Sequence, residues 1–322
     1  MGRKPINALI VTALLATLTV KSQSCQSAEL KQQTVRAFDQ YIHDAETTMD
    51  HDFARRVDFL WIDGLSESTR SKSLSELESG QVVVQASGGQ ETTLGTAVPG
   101  GLIHDWIGIV FVPRVSIAQA LALLQDYDRD QNYYAPEVVK SKTLERDGNK
   151  FRVFLRLKRT NVITAVFNTE YSVQYFALDD SHAYSRSYST RIAEVENPDM
   201  FHEQELTVGN DHGFLWRLYS YWRFYQTDRG TFIQCRAISL SRNVPTGLGW
   251  MVKPFIEGIP VESLRFTLKA TRRALLDASL ETTKWRTQHA CAKEFASGRY
   301  SAIKRKMLSG PCSKSRNRAG FQ

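Results

Sequence analysis

Two Asp/His pairs are the residues of this 322-residue chain that suggest acid-base or metal chemistry: Asp211-His212, just before the aromatic run FLWRLYSYWRFY, and His104-Asp105, inside GLIHDWIGIVFVP. An imidazole works as a base or a ligand beside a carboxylate only where the two groups converge in space. Neighbours in a regular strand point to opposite faces, so a strand through 104 and 105 sends that pair apart. Asp211-His212-Gly213 reads as a turn and a strand entrance. Metal spacings are missing: there is no HExxH and no CxxC, and FHEQEL lacks the second histidine. Neither a G-x-S-x-G elbow nor a Walker loop is present, and no metal or cofactor is expected.

The aromatic run itself has two faces under strand alternation. Phe214, Trp216, Leu218, Ser220, Trp222 and Phe224 form one, an apolar wall; Leu215, Arg217, Tyr219, Tyr221, Arg223 and Tyr225 form the other, in which guanidinium groups can stack on phenol rings. The apolar face is the expected wall of a binding site. Glu170, Arg186, Arg191 and Glu194, also in strand patterns, are expected on the outer, solvated face.

Most of these residues sit in a stretch with a period of two, from Phe151 to Arg242. Phe151, Val153, Leu155 and Leu157 alternate with charged residues, and strands are predicted over 163–177, 183–195, 214–225 and 232–242. Asp147-Gly148, Asp179-Asp180 and Asp228-Arg229-Gly230 supply the turns of an antiparallel meander. Upstream, Val35, Phe38, Ile42, Ala45 and Met49 recur at helical spacing within 29–53. Residues 55–80 are serine-rich and charged and are expected to be irregular with short helical turns. A strand is predicted at 81–85 and another at 101–113, stopped by Pro113, then a helix at 115–128 capped by Ser116. After a Gly/Pro-rich break, Val261, Leu264, Leu268, Thr271 and Leu275 mark one face of a long C-terminal helix.

The chain opens with Arg3 and Lys4, an apolar run from Ala8 to Val20, and then small polar residues, the layout of a secretory signal peptide over 1–24. Export to a periplasmic or extracellular compartment is the expectation. Cys25 stands where a lipoprotein carries its lipid, but Ser22-Gln23-Ser24 lacks the usual leucine. The net charge of +7 is uneven: residues 281–322 carry ten Lys or Arg against two acids, a local +8, and the leader adds +3, leaving −4 for the rest. A mildly acidic body argues against nucleic acid as a partner, and the basic tail suits a weak contact with a membrane or envelope surface. Of the four cysteines, Cys291 and Cys312 could bridge in an oxidising compartment, and Cys235 suits a buried strand position.

The order of a strand, a helix leading through LLQDYDRDQNYYAPEVVKSKTLERDGNKFRVFLRL, a long antiparallel meander and a closing amphipathic helix resembles the START-like, or SRPBCC, superfamily over about residues 100–280. The resemblance implies an α+β helix-grip fold, a curved antiparallel sheet gripping the C-terminal helix. The implied division is a helical extension at 25–80, a START-like domain at 81–280 and the basic tail. It also implies a cavity between sheet and helix for a lipid or other hydrophobic small molecule. Trp216, Leu218, Trp222, Phe224, Trp250, Leu264 and Leu268 are the expected lining, and His104, Tyr127 and Arg223 the candidate polar anchors, with TGLGWMVKPF as a candidate mouth. Fold does not fix function, so three readings stand: a binding protein without catalysis, a cyclase- or hydratase-type enzyme using His104, Tyr127 or Arg223, and an envelope interaction module acting through the tail.

Overall fold

The computed structural model describes residues 28–55, 58–87, 95–160, 164–243 and 258–280. Residues 1–24, read as a signal peptide, with Cys25, Trp250, the TGLGWMVKPF stretch and the tail with Cys291 and Cys312 lie outside the described residues.

In chain order come β1 (Ala28–Glu29), α1 (Gln32–Arg55), a 3-10 turn (Trp61–Gly64), α2 (Glu67–Glu78), β2 (Val83–Ala86), β3 (Thr96–Val98) and β4 (Gly101–Pro113). Then follow α3 (Ile117–Leu124), a second 3-10 turn (Tyr127–Arg129) and α4 (Asp130–Tyr133). The meander is β5 (Val138–Asp147), β6 (Lys150–Thr160), β7 (Thr164–Ala177), β8 (His182–Glu196), the short β9 (Gln204–Glu205) and β10 (Asn210–Asp211), β11 (Arg217–Thr227) and β12 (Gly230–Arg242). A helix over 258–280, α5, closes the described chain. The main sheet runs β2-β4-β12-β11-β8-β7-β6-β5, with every pairing antiparallel.

Alternation gives this sheet two faces, and helices cover both. Toward α5, Val110, Val112, Phe224, Ile233 and Cys235 pack with Leu264, Leu268 and Leu275 of α5 and with α3. Gly108 permits that approach: a Cβ there would stand 2.6 Å from Leu268 Cδ1 and 3.3 Å from Leu264 Cδ2. Toward α1, Ile103, Tyr221, Ile238 and Leu240 meet Phe38, Ile42, Ala45 and Met49, the four- and three-residue steps that define one helix stripe. Burying each of the larger apolar side chains of that stripe contributes about 1.5–3 kcal/mol.

The 101–113 strand has the predicted bounds, and its almost unbroken burial reflects helices on both sides. α3 is shorter than the 115–128 prediction. It is capped as expected, with the Gln119 backbone N–H donating to Ser116 Oγ at 3.3 Å. The region read as irregular, 55–80, instead contains the 12-residue helix α2. Its sequence ESTRSKSLSELE is polar almost all round and buries Ser73 and Leu77, so it has no apolar stripe to announce it.

Candidate functional site

Between the α5 face of the sheet and the first turns of α5 lies a cavity of about 830 Å³. Its apolar walls come from Val153, Leu155 and Leu157 of β6, Phe167 and Val173 of β7, Leu218 and Trp222 of β11, and Leu264 and Phe266 of α5. The hollow has a visible cause in the register. Ser220 of β11 pairs with Ser187 of β8 and Ala237 of β12, so a row of small residues crosses three strands where large ones would fill the space beneath α5.

Polar groups of the wall cluster in three places, and Lys158, Arg242 and Glu262 also line the cavity. On β4 and β12, His104 Nε2 lies 3.1 Å from Ser241 Oγ, and burial pushes the His104 imidazole down to about 4, so it is neutral near pH 7. At the far side, Tyr127 and Tyr175 share a hydrogen bond of 2.7 Å, and Tyr175 Oη donates to the Leu124 carbonyl at 3.0 Å. Asp130, buried beside them, is held well above the ordinary carboxylate range, chiefly by burial and then by Asp126 and Asp128. At the rim, Arg159 binds both Glu137 and Ser263 of α5; burial outweighs Arg159 and lifts Glu137 to about 7. Three lining residues also carry a buried polar atom with no hydrogen-bond partner among the described residues: His104 Nδ1, Tyr171 Oη and Ser185 Oγ.

His104 gives a pH prediction. Unfolded, its imidazole takes a proton near 6.5, but in the folded protein it does so only near 4. The unfolded chain therefore binds more protons between those values, and stability falls as pH drops through that window. His104→Gln should remove about 2 kcal/mol of the loss between pH 7 and pH 4.5. Denaturant midpoints of both proteins at the two pH values measure it; parallel profiles would refute the assignment.

The α1 face is polar as well as apolar. Arg236 Nε and Nη2 donate to Asp105 at 2.9 and 2.5 Å, and Tyr41 Oη of α1 donates to Asp105 at 2.8 Å. Glu46 of α1 accepts from Tyr188 Oη at 2.6 Å and Tyr221 Oη at 2.9 Å, and Arg186 pairs with Asp50.

Against known proteins, no family model and no curated protein matches the chain. Solved structures give low-scoring similarities. A STAR-related lipid transfer protein from Xanthomonas axonopodis is 17% identical, with a TM-score of 0.39 over 56% of this chain and 97% of that one. A START superfamily protein from Mycobacterium smegmatis is 15% identical, with a TM-score of 0.33 over 53% and 99%. The Zhui aromatase/cyclase from Streptomyces is 12% identical, with a TM-score of 0.35 over 54% and 93%.

Of the residues singled out in the sequence, Leu218, Trp222, Leu264, His104 and Tyr127 line the cavity. Phe224 and Leu268 are fully buried in the core beside it and do not line it. Trp216 was placed on the wrong face: it packs with Phe38 and Ile42 under α1, its Nε1 donating to Asp211 at 2.9 Å. The alternation begins only at Arg217, and Gly213, at φ 70°, turns the chain just before it, so Phe214 and Leu215 both reach the cavity. Arg223 is also corrected, from a cavity anchor to the α1 face, where its Nη1 donates to the Phe59 carbonyl at 2.7 Å. His104 and Asp105 do point to opposite faces. Asp211-His212 is a structural turn: His212 Nδ1 lies 2.7 Å from Glu194 Oε1, and Glu194 is buried, not solvated as expected. Sequence reasoning missed Asp130, Tyr134, Glu137, Arg159, Tyr171 and the serines. The serines left a signal, since Ser185, Ser187, Ser220 and Ser239 occupy alternating strand positions where an apolar residue is usual.

Proposed function

We propose that this chain is an exported binding protein for an apolar small molecule bearing neutral hydrogen-bonding groups, held between the sheet and α5 with the sheet curling round the helix. One observation carries the reading: a cavity of about 830 Å³ whose mostly carbon walls are interrupted by hydroxyls and a neutral imidazole. Glu137 and Arg159 at the rim are bonded to each other, so this pair does not call for an ionised ligand. The leader-like first 24 residues support export. The START-like resemblance and the lipid-transfer name of the Xanthomonas axonopodis protein agree in kind with this ligand class.

The enzyme reading receives less support. His104 is on β4 and Tyr127 is bonded to Tyr175 on β7, four strands away in the sheet order, or about 19 Å at ordinary strand spacing. Two such groups do not meet at one reacting atom.

Binding of Nile red, a neutral apolar dye, tests the proposal. Ser220→Trp fills the small-residue row and is expected to weaken capture of the neutral dye at least tenfold in a protein that still unfolds cooperatively. Equal dye affinity in both proteins would count against the cavity as the binding site.

A further inference from the structure

A second, smaller cleft of about 250 Å³ lies on the opposite side of the sheet, between α1 and the strands. Its floor carries Arg223 and Arg236, and its walls carry Asp52 of α1, Asp58, Met49 and Trp61. Arg223 is only 6% exposed. Its guanidinium stacks on Phe53 at 4.6 Å and on Phe59 at 5.8 Å, and the bond to the Phe59 carbonyl is its only hydrogen bond among the described residues. A guanidinium has five N–H donors, and stacking occupies its faces while leaving its edges free. Arg236, by contrast, is matched to Asp105.

A buried cation with no carboxylate hydrogen-bonded to it is costly, and burial pushes the Arg223 guanidinium down to about 10 against the opposing charges of Asp52 and Asp63. With Arg236 matched to Asp105, the charges left to the cleft are Arg223 against the two aspartates Asp52 and Asp58. A simple anion there would answer Arg223 but sit against Asp52 and Asp58. A simple cation would leave Arg223 unanswered. A molecule with both charges satisfies both sides and leaves the total unchanged.

We propose that this cleft is a binding site for a small zwitterion of the amino-acid type, its carboxylate on Arg223 and its ammonium toward Asp52 and Asp58. The site is separate from the apolar cavity, because β4, β11 and β12 stand between them, and it does not depend on what that cavity holds.

The test is a saturation-transfer NMR titration of the full-length protein with three probes at equal ionic strength: alanine, acetate and methylammonium. Alanine is expected to bind, with acetate and methylammonium each at least tenfold weaker. Asp52→Asn should weaken alanine at least tenfold and leave acetate as tight or tighter. Arg223→Met should abolish both, and Arg223→Lys, which keeps the charge but loses the fork, should weaken both while preserving the fold. Acetate binding as tightly as alanine, alanine affinity unchanged in Asp52→Asn, or no alanine binding to the unaltered protein would each overturn the proposal.

Discussion

Asp105→Asn is expected to cost about 3–5 kcal/mol of folding stability, the size of effect that follows when one partner of a buried ion pair is removed. The Asp105 carboxylate is 5% exposed and accepts from Arg236 Nε and Nη2 and from Tyr41 Oη. Asparagine keeps the shape and one acceptor oxygen but leaves the Arg236 guanidinium buried with no counter-charge. Because Tyr41 belongs to α1, the loss also loosens the helix from the sheet. Urea unfolding measures the cost, and hydrogen exchange along 32–55 reports the loosening. The neighbouring His104→Gln, on the opposite face, should leave α1 exchange unchanged. A cost below about 1 kcal/mol, the range of exposed pairs, would contradict the assignment.

Leu268→Ala is expected to cost about 2–5 kcal/mol, as large-to-small changes in a closed core do. Leu268 is fully buried at the point where α5 comes closest to the sheet, directly over Gly108. Val110, Val112 and Ile233 in the same core are strand residues held by pairing, Ile233 on both sides to Val110 and Phe224, and cannot readily collapse into the space left behind. The variant should also hold dye less well, because α5 roofs the cavity through Leu264, Phe266 and Thr267. Val139→Ala, at a side chain 44% exposed on an edge strand, is the control and should stay within about 0.5 kcal/mol. A penalty for Leu268→Ala no larger than the control's would mean that α5 does not grip the sheet as described.

The meander was legible because its strands bury one face: Phe151 and Val153 pack with Tyr127, Tyr171 and Tyr175 while Arg152 between them is exposed, which writes a period of two into the sequence. The α1 stripe was legible for the matching reason. What α1 covers was harder to read, although GLIHDWIGIVFVP holds a clue, since a strand buried on both faces loses its alternation. Asp105 and Arg236 sit 131 residues apart, and no spacing rule joins them. Trp216 was misassigned because alternation was carried back to Phe214, whereas the strand begins only at Arg217. The cavity lining was read as large and aromatic, yet the space itself comes from small residues, Ser187, Ser220 and Ala237, brought into one row by register. Pattern reports where apolar residues lie; register between strands decides where volume is missing.

The measurement that bears most directly on the central claim is native mass spectrometry of the protein after incubation with a total lipid extract, with the Ser220→Trp protein run beside it. A single neutral, oxygen-bearing apolar adduct at one per chain on the unaltered protein, absent from Ser220→Trp, is the predicted result. No adduct on either protein, or the same adduct on both, would contradict the claim that the space beneath α5 is a ligand site.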